Sequence, residues 1–309
     1  MNSFADVIGI TRLKSQIYRS LVSCQKRGTE FPHSLLTGLG GTGKSKVARC
    51  IAGELNRPFC ETEAAELGSR QAIADLLLRE SSRCTAPYWV LFIDEIHRLS
   101  VDRQEDLYYP MKERRVNTSD GSVRLKPFTL IGATTRIDVL DQGSFVTRFQ
   151  NVWDFCRYPL IDIETIVGKA FGGMGIVCEA AERYAIAKRA LGIPRVAISL
   201  AEKVRDQVYY AHHELLRVLA EDVRKVFVLE ELDTIGLSKA HITYLRALLS
   251  AKGSPKGLSV LSATVGRNKN VVEDTIEPIL ISLGFVSATP KGRVLTELGF
   301  RHLAYQNLA

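Results

Sequence analysis

The chain has 309 residues, 46% of them hydrophobic and 24% charged, values typical of a soluble globular protein of two or three domains with a sizeable core. Its six scattered cysteines form no C-x-x-C pair, which argues against a disulfide framework or a zinc site; the chain also has no signal-peptide pattern and no apolar run near the ~20 residues of a membrane span, so we expect a cytoplasmic protein with no membrane partner. The net charge of +7 leans toward an acidic partner such as nucleic acid, although charge alone is weak support.

Apolar periodicity divides the first half of the chain into alternating helices and strands. The predicted helices span 10–28, 44–55 and 71–83, and the predicted strands span 34–38, 88–94 and 128–135. Strands that alternate with helices favour a parallel, doubly wound sheet, so we predict an α/β domain over residues 1–157.

The pattern becomes helical from about Tyr158, with helices expected at 163–171, 179–191, 195–212 and 220–228, so residues 158–231 are predicted to form a helical lid. The last segment, 232–309, has two helical patterns, 238–251 and 270–283, followed by two short strands around a Pro-Lys-Gly turn in 284–299. Helices followed by such a hairpin indicate a winged-helix module.

The stretch GLGGTGKS (38–45) fits the phosphate-loop pattern G-x-x-x-x-G-K-[ST] between a predicted strand and a predicted helix. Gly38 and Gly43 permit backbone angles that let successive N–H groups point at a polyphosphate. Lys44 would reach the β- and γ-phosphates, and Ser45 would ligate Mg²⁺. The less favoured alternative is a glycine-rich turn with a chance lysine. The predicted nucleotide-binding residues of the loop are Gly38, Gly40, Gly41, Thr42, Gly43, Lys44, Ser45 and Lys46.

Two acids, Asp94 and Glu95, end the apolar run VLFID, where ligands sit in open α/β sheets. Asp94 suits Mg²⁺, and Glu95 can orient and polarise the water that attacks the γ-phosphate. Adjacent acids repel each other unless a cation is near, which Lys44 and Mg²⁺ would supply. The alternative is two solvated acids that open a loop, and the phosphate loop about fifty residues upstream disfavours it.

Several separated motifs resemble the RuvB family of AAA+ ATPases, the Holliday junction branch-migration motors. They are LFIDEIHRLS (91–100), EDLYYPMKERRV (105–116) and FTLIGATTR (128–136), with similar stretches at 4–17, 192–206 and 271–303. Because they occur in the right order over nearly the whole chain, the resemblance is far more specific than a phosphate loop alone. It implies a P-loop AAA+ ATPase domain, a helical lid and a C-terminal winged helix.

The resemblance assigns roles that the residues alone do not. Val7 and Ile8 fall in the segment that lies along the adenine, and Thr135 matches the sensor-1 position, which could hold the attacking water or the γ-phosphate. Arg148 matches the arginine finger, which acts on the nucleotide of a neighbouring subunit and so implies an oligomer. Arg195 matches sensor 2 on the lid. Without the family, a backbone-bonded threonine at 135 and an ordinary surface arginine at 148 would be the default interpretation.

The winged segment also carries the predicted DNA contact. Lys291 and Arg293 sit at its turn TPKGR, and residues 235–309 hold nine Lys and Arg against four Asp and Glu. This concentration of positive charge fits contact with a phosphate backbone, with a solvated basic surface as the alternative.

Three positions depart from the family pattern. The phosphate loop has Leu39-Gly40 where prolines are usual and Lys44-Ser45-Lys46 where Lys-Thr-Thr is usual. The hairpin between 116 and 127, with Asp120-Gly121 as its turn, is shorter and more polar than the family hairpin that docks RuvA. Gln150 replaces a family glycine, for which the sequence gives no account.

The leading hypothesis is an ATP-hydrolysing motor, dependent on Mg²⁺, that forms a homo-oligomeric ring, expected to be a hexamer. It would move branched DNA in recombination and repair, acting on a four-way junction or a duplex. A RuvA-like partner stays open, with the short hairpin arguing against it. The alternatives are an origin-recognition or helicase-loading ATPase and a DNA-binding accessory protein with a vestigial ATPase site.

Overall fold

The computed structural model describes residues 4–118, 121–212 and 216–306. The chain separates into two compact units, the first made of Met1–Gly38 and Thr42–Cys156 and the second of Leu39–Gly41 and Arg157–Ala309. The predicted lid and winged segments therefore fall within one unit, and the division at 157/158 and 231/232 stays a prediction.

The first unit is built on a parallel sheet. Its strands are β1 (Ser34–Gly38), β2 (Phe59–Glu63), β3 (Trp89–Asp94), β4 (Arg115–Thr118), β5 (Gly121–Arg124), β6 (Phe128–Thr134) and β7 (Asn151–Phe155). Five of them form one sheet in the order β2-β3-β6-β1-β7, and every neighbouring pair is parallel. The predicted fold class is confirmed.

Four helices and several short 3-10 turns connect these strands. The helices are α1 (Thr11–Arg27), α2 (Lys44–Leu55), α3 (Arg70–Arg83) and α4 (Val101–Glu113). The 3-10 turns are Phe4–Asp6, Ala64–Leu67, Ile96–Arg98, Ile137–Val139 and Val146–Arg148.

Successive strand residues point to opposite faces of the sheet, and both faces are buried. Leu36 and Phe92 belong to the apolar cluster that includes α1 and α2, whereas Leu35 and Leu91 belong to the cluster that includes α3 and α4. This double burial explains why the central strands read as continuous apolar runs.

A separate antiparallel hairpin, β4–β5, lies where the RuvA-docking hairpin was expected. Val116 pairs with Val123; the first side chain is buried and the second is 41% exposed. The predicted Asp120-Gly121 turn cannot be assessed, since Ser119 and Asp120 lie outside the described residues.

The second unit is helical apart from one hairpin. Its helices are α5 (Leu160–Met174), α6 (Ala180–Arg189), α7 (Pro194–Ala211), α8 (Ala220–Leu229), α9 (Lys239–Leu249), α10 (Leu258–Val265), α11 (Lys269–Val271), α12 (Glu277–Ser282) and α13 (Glu297–Gln306). A π-helical segment, Val272–Ile276, joins α11 to α12 without a break, so the helix predicted at 270–283 is present with a π-bulge inside it. Within the ranges that the structure covers, no helix is long and apolar enough to cross a membrane.

The hairpin of the second unit pairs β8 (Val286–Thr289) with β9 (Gly292–Leu295) in antiparallel register, as predicted. Lys256 extends it, because Lys256 and Arg293 exchange backbone hydrogen bonds of 2.9 and 2.8 Å. Gly292 has φ 134°, and a Cβ there would lie 2.5 Å from the Lys256 carbonyl oxygen, so this close approach requires glycine. In chain order, α9, the bridging Lys256, α10, the helical stretch α11–α12, the hairpin β8–β9 and α13 make up the winged-helix arrangement.

Candidate active site

The phosphate-loop sequence connects β1 to α2, as its pattern predicts. Gly43, with φ 98°, ends the loop in the left-handed region, and Lys44 begins the helix. Lys44 is 7% exposed, and its Nζ donates to the Gly38 carbonyl oxygen at 2.8 Å. The lysine therefore lies along the loop that would surround a polyphosphate, with the N-terminal end of α2 beside it.

The structure brings together the two residues predicted to hold a metal. Ser45 Oγ donates to Asp94 Oδ2 at 3.3 Å, although 49 residues separate them in sequence. Asp94 ends β3, and its Oδ1 accepts the Glu95 N–H at 2.9 Å. A hydroxyl and a carboxylate that meet next to a phosphate loop are the oxygen donors that Mg²⁺ prefers, so the residues present fit that ion.

Glu95 has an unusual backbone and a specific partner. Its φ of 49° lies in the left-handed region, which is strained for a residue with a side chain. Its carboxylate is 36% exposed, and Oε2 lies 3.2 Å from Nδ1 of the buried His97. The same nitrogen lies 3.1 Å from Thr134 Oγ1, at the end of the neighbouring strand β6. His97 thus links the predicted base to the strand that carries the sensor position.

Thr135 follows β6 directly, at the position predicted for sensor 1. Thr135 Oγ1 is buried and has no hydrogen-bond partner within the described ranges. The neighbouring Thr134 Oγ1, by contrast, accepts the Arg136 N–H at 2.9 Å. A buried hydroxyl without a partner is costly, so the site suits a water or phosphate oxygen, and the backbone-bonded alternative fails for Thr135.

The N-terminal segment packs beside the helix that follows the phosphate loop. Val7 is 6% exposed and belongs to the cluster with α1 and α2, and Ile8 is partly buried. Lys14 Nζ donates to the Val7 carbonyl oxygen at 2.8 Å, and Lys46 Nζ donates to that of Asp6 at 3.4 Å. Lys46 therefore has a structural contact here; its predicted contact with nucleotide stays a prediction.

Arg148 lies at the end of the Val146–Arg148 turn and rests on an aromatic ring. Its guanidinium carbon is 4.5 Å from the centre of the Tyr108 ring, and its Nε is buried without a hydrogen-bond partner in the described residues. It lines an open cavity together with Lys112 and Gln150. Gln150, the unexplained departure from the family, is exposed at this cavity.

Arg195 lies in the second unit, at the start of α7. Its N–H donates to the carbonyl oxygen of Gly41 at 3.2 Å, and Gly41 groups with this unit. Gly41 has φ 78°, and a Cβ there would lie 2.7 Å from Arg195 Cβ. The third glycine of GLGG is therefore needed for close approach to α7, while Gly40 has open space around it.

The wing gives the two predicted DNA contacts different environments. Lys291 is exposed at the hairpin turn. Arg293, however, donates from Nε and Nη2 to the two oxygens of the buried Glu277, at 2.8 and 2.9 Å. Tyr244 Oη also donates to that carboxylate. Since the guanidinium faces a buried carboxylate, Arg293 holds the wing to α12. Its predicted contact with DNA stays a prediction.

Sequence reasoning missed several residues of these sites. His97 and Tyr108 were seen only as part of family motifs, and Glu277 was not singled out. The Glu277 pairing could have been suspected from an acid within an apolar helical pattern. In the described part of the chain, no group of three or more His, Cys, Asp or Glu side chains could hold a metal ion.

The parallel sheet, the phosphate loop, the acid pair at the carboxyl end of β3 and the winged helix together define a P-loop ATPase of the AAA+ type. The family model described as the Holliday junction DNA helicase RuvB P-loop domain matches residues 1–154, and the model of the RuvB C-terminal winged helix domain matches residues 234–304. The chain belongs to the RuvB family.

Individual relatives agree with this assignment over nearly the full length. The chain is 35% identical to the Holliday junction branch migration complex subunit RuvB of Cutibacterium acnes, over 98% of this chain and 89% of that protein. It is 32% identical to the subunit of the same name from Thermotoga maritima, over 98% of this chain and 91% of that protein. The solved structure of the Thermotoga maritima RuvB Holliday junction branch migration motor superposes with a TM-score of 0.87 at 31% identity, covering 98% of this chain and 97% of that one.

Proposed function

We propose that the protein is an ATP-hydrolysing motor that forms a homo-oligomeric ring, a hexamer, and drives branch migration of Holliday junctions in recombination and repair. The observation that carries the proposal is the contact between Ser45 and Asp94, with Glu95 beside it, in a chain of the RuvB family. The contact supports an intact hydrolytic site, so a vestigial ATPase is disfavoured. The origin-recognition alternative gains no support from the relatives, whose names all refer to the Holliday junction.

Nucleotide binding uses the loop and the segments on either side of it. The backbone N–H groups of residues 40–45 surround the phosphates, and Lys44 supplies positive charge at the β- and γ-phosphates. Val7 and Ile8 border the adenine. When bound, Mg²⁺ would be held by Ser45 and Asp94 and would offset phosphate charge.

Hydrolysis depends on a water placed between Glu95 and the γ-phosphate. The Glu95 carboxylate accepts a proton from that water as its oxygen attacks phosphorus, and the bond to the β-phosphate oxygen breaks. The free hydroxyl of Thr135 donates to the water or to a γ-phosphate oxygen. Arg148 of a neighbouring subunit and Arg195 of the same subunit stabilise the charge that spreads over the transferred group.

The winged-helix domain, residues 232–309, contacts DNA through its phosphate backbone. Lys291 is the contact we retain, and no base-reading constellation is needed for a motor that moves junctions of any sequence. A RuvA-like partner, if used, would dock on β4–β5 through Val123, the exposed apolar residue among the hairpin's described positions.

The deciding experiment is ATP-dependent dissociation of a synthetic four-way junction by the full chain, with and without RuvA. We expect dissociation that requires ATP and Mg²⁺ and that is lost in Glu95→Gln. Junction binding and ATP hydrolysis without any movement, under both conditions, would refute the motor function. Equal affinity for linear duplex and four-way junction, with slow turnover, would instead favour a nucleotide switch of the helicase-loading kind.

A further inference from the structure

Arg148 is placed by a set of contacts from α4, which is the helix directly after the acid pair. Tyr108 provides the ring under the guanidinium, at 4.5 Å. The same ring stacks on Phe145, with 5.8 Å between centroids, and Phe145 is fully buried. The aromatic surface below the arginine is therefore fixed on its other side by the core of the first unit.

The hydroxyl of Tyr108 has a second role in the same turn. It donates to Asp141 Oδ2 at 2.8 Å. The other carboxylate oxygen of Asp141 accepts the N–H groups of Gly143 and Ser144, at 3.0 and 3.2 Å, and its carbonyl oxygen accepts that of Phe145 at 3.1 Å. Asp141 thus organises the turn that leads into Val146–Arg148.

Asp141 is held by α4 at its backbone as well. Its N–H donates to Gln104 Oε1 at 3.1 Å. Gln104 is 1% exposed, and its Nε2 donates to the Leu99 carbonyl oxygen at 2.9 Å. Gln104 and Tyr108 are four residues apart and so lie on one face of the helix. One face of α4 therefore holds Asp141 both at its backbone N–H and at its side-chain carboxylate.

The protonation states of this pair suit a permanent contact. Burial, with the hydrogen bond to Asp141 as the next cause, raises the pKa of Tyr108 to about 12. The hydrogen bond from Tyr108 lowers the pKa of Asp141 below its usual range. The phenol stays a donor and the carboxylate an acceptor throughout the neutral pH range.

We propose that Tyr108, with Gln104 and Asp141, is a positioning residue for the arginine finger: it holds Arg148 extended over its ring, ready to enter the active site of a neighbouring subunit. This inference rests on the proposed function, because it assumes that Arg148 acts in trans. The unpartnered Nε of Arg148 fits this role, since among the described residues the guanidinium is oriented by the Tyr108 ring and not by a carboxylate. An arginine held by a ring can reach a phosphate without first breaking an ion pair.

The test compares single and double variants by steady-state phosphate release in the presence of junction DNA. Tyr108→Leu removes the ring and should lower kcat roughly 10-fold, the upper part of what a cation–π contact supports. Tyr108→Phe keeps the ring and loses only the bond to Asp141, so a roughly 3-fold decrease is expected. KM for ATP should not change in either variant, since the subunit's own phosphate loop is untouched. Tyr109→Leu, at the adjacent and 39% exposed tyrosine, serves as the matched control and should retain full turnover.

The double variant Tyr108→Leu/Arg148→Ala separates positioning from general damage. If Tyr108 acts through Arg148, the double variant turns over no more slowly than Arg148→Ala alone. Independent, multiplicative losses would overturn the inference, as would wild-type turnover in a folded Tyr108→Leu. Thermal unfolding is measured for each variant, and Tyr108→Phe carries the test if Tyr108→Leu does not fold.

Mixed rings distinguish this inference from the finger assignment itself. Arg148→Ala subunits keep their own hydrolytic residues, and Glu95→Gln subunits supply an intact finger, so a mixture should regain ATP turnover. Finger donors that carry Glu95→Gln/Tyr108→Leu should restore turnover roughly 10-fold less well. No rescue by any donor would overturn the trans role of Arg148, whereas equal rescue by both donors would overturn only the role of Tyr108.

Discussion

The two units of the chain use carboxylates in different ways. In the first unit, Asp94 is the last residue of β3 and Glu95 follows it at the carboxyl end of the strand. The Glu95 side chain is 36% exposed. In the second, the Glu277 side chain is 4% exposed and has both oxygens on Arg293. Asp94 and Glu95 follow an apolar run in the sequence, whereas Glu277 follows VVEDTI, which already carries two acids. The difference shows that an acid at the end of a strand is available for chemistry, whereas one inside a helix with a nearby arginine is used to join two elements.

The largest effect in this comparison should come from the strand-end acid. Glu95→Gln removes the proton acceptor while keeping size and polarity, so kcat for ATP should fall ~10²–10⁴-fold with nucleotide affinity retained. Phosphate release and binding of a fluorescent ATP analogue measure the two quantities. Glu113→Gln, an exposed acid at the end of α4, is the control. Surviving hydrolysis would mean that Glu95 is not the base.

The helical acid should affect stability instead of turnover. Arg293→Leu leaves Glu277 buried without its cation, which should lower the free energy of unfolding by about 3 kcal/mol. Replacing both residues with leucine should recover part of that loss, because no uncompensated charge remains. Thermal and denaturant unfolding provide the measurement. An Arg293→Leu protein of normal stability that has lost DNA affinity would return Arg293 to the DNA contact first predicted.

His241, in the second unit, should make the stability of the protein depend on pH. Burial lowers the pKa of His241 from 6.5 to about 4, and its Nδ1 accepts the Ser238 N–H at the start of α9. Between these two values the unfolded chain binds a proton that the folded chain refuses, so stability falls as pH drops from 6.5 to 4, by up to about 3 kcal/mol.

Urea denaturation over this pH range measures the effect, with His241→Gln as the comparison. The glutamine variant should be less stable near pH 7 but should show a flatter pH profile. Because burial also lowers the pKa of His33, some slope should persist in the variant. An unchanged slope would contradict the assignment to His241.

The smallest effect should come from Lys291. Lys291→Ala removes one exposed charge, so DNA affinity should fall several-fold for all sequences alike, and the slope of log affinity against log salt should decrease by about 1. Stability should not change, in contrast to Arg293→Leu. Lys239→Ala, at an exposed lysine paired with Glu231, is the matched control. An unaltered salt slope would remove Lys291 from the interface.

The sequence predicted those elements whose pattern reports burial directly. The buried strands β1, β3 and β6 read as apolar runs, and α2 followed from its phosphate loop. The missed strands β2 and β7 are edge strands with exposed polar residues, such as Glu61 and Asp154. Of the missed helices, α10 is only eight residues long and rich in β-branched and small side chains, and α4 and α13 have mixed polar faces.

The active site was partly predictable for a similar reason. Ser45 and Asp94 lie in motifs whose strand contexts fix their position, so their contact could be anticipated. The positioning of Arg148 by Tyr108 depends on a contact across 40 residues between a helix and a loop, and no periodicity reports it. The pairing of Arg293 with Glu277 was not predicted, because a turn sequence gives charge but not the partner that the fold supplies.

The left-handed backbone conformation of Glu95 affects the stability of the whole protein. A left-handed conformation costs a side chain roughly 1–2 kcal/mol, a cost that glycine would avoid and asparagine would reduce. Selection for thermal robustness alone would therefore favour replacing Glu95, whereas under the proposed function selection for turnover would keep it. A laboratory screen for heat resistance that ignores activity should enrich substitutions at this position, so it is a place where stability and catalysis are selected in opposite directions.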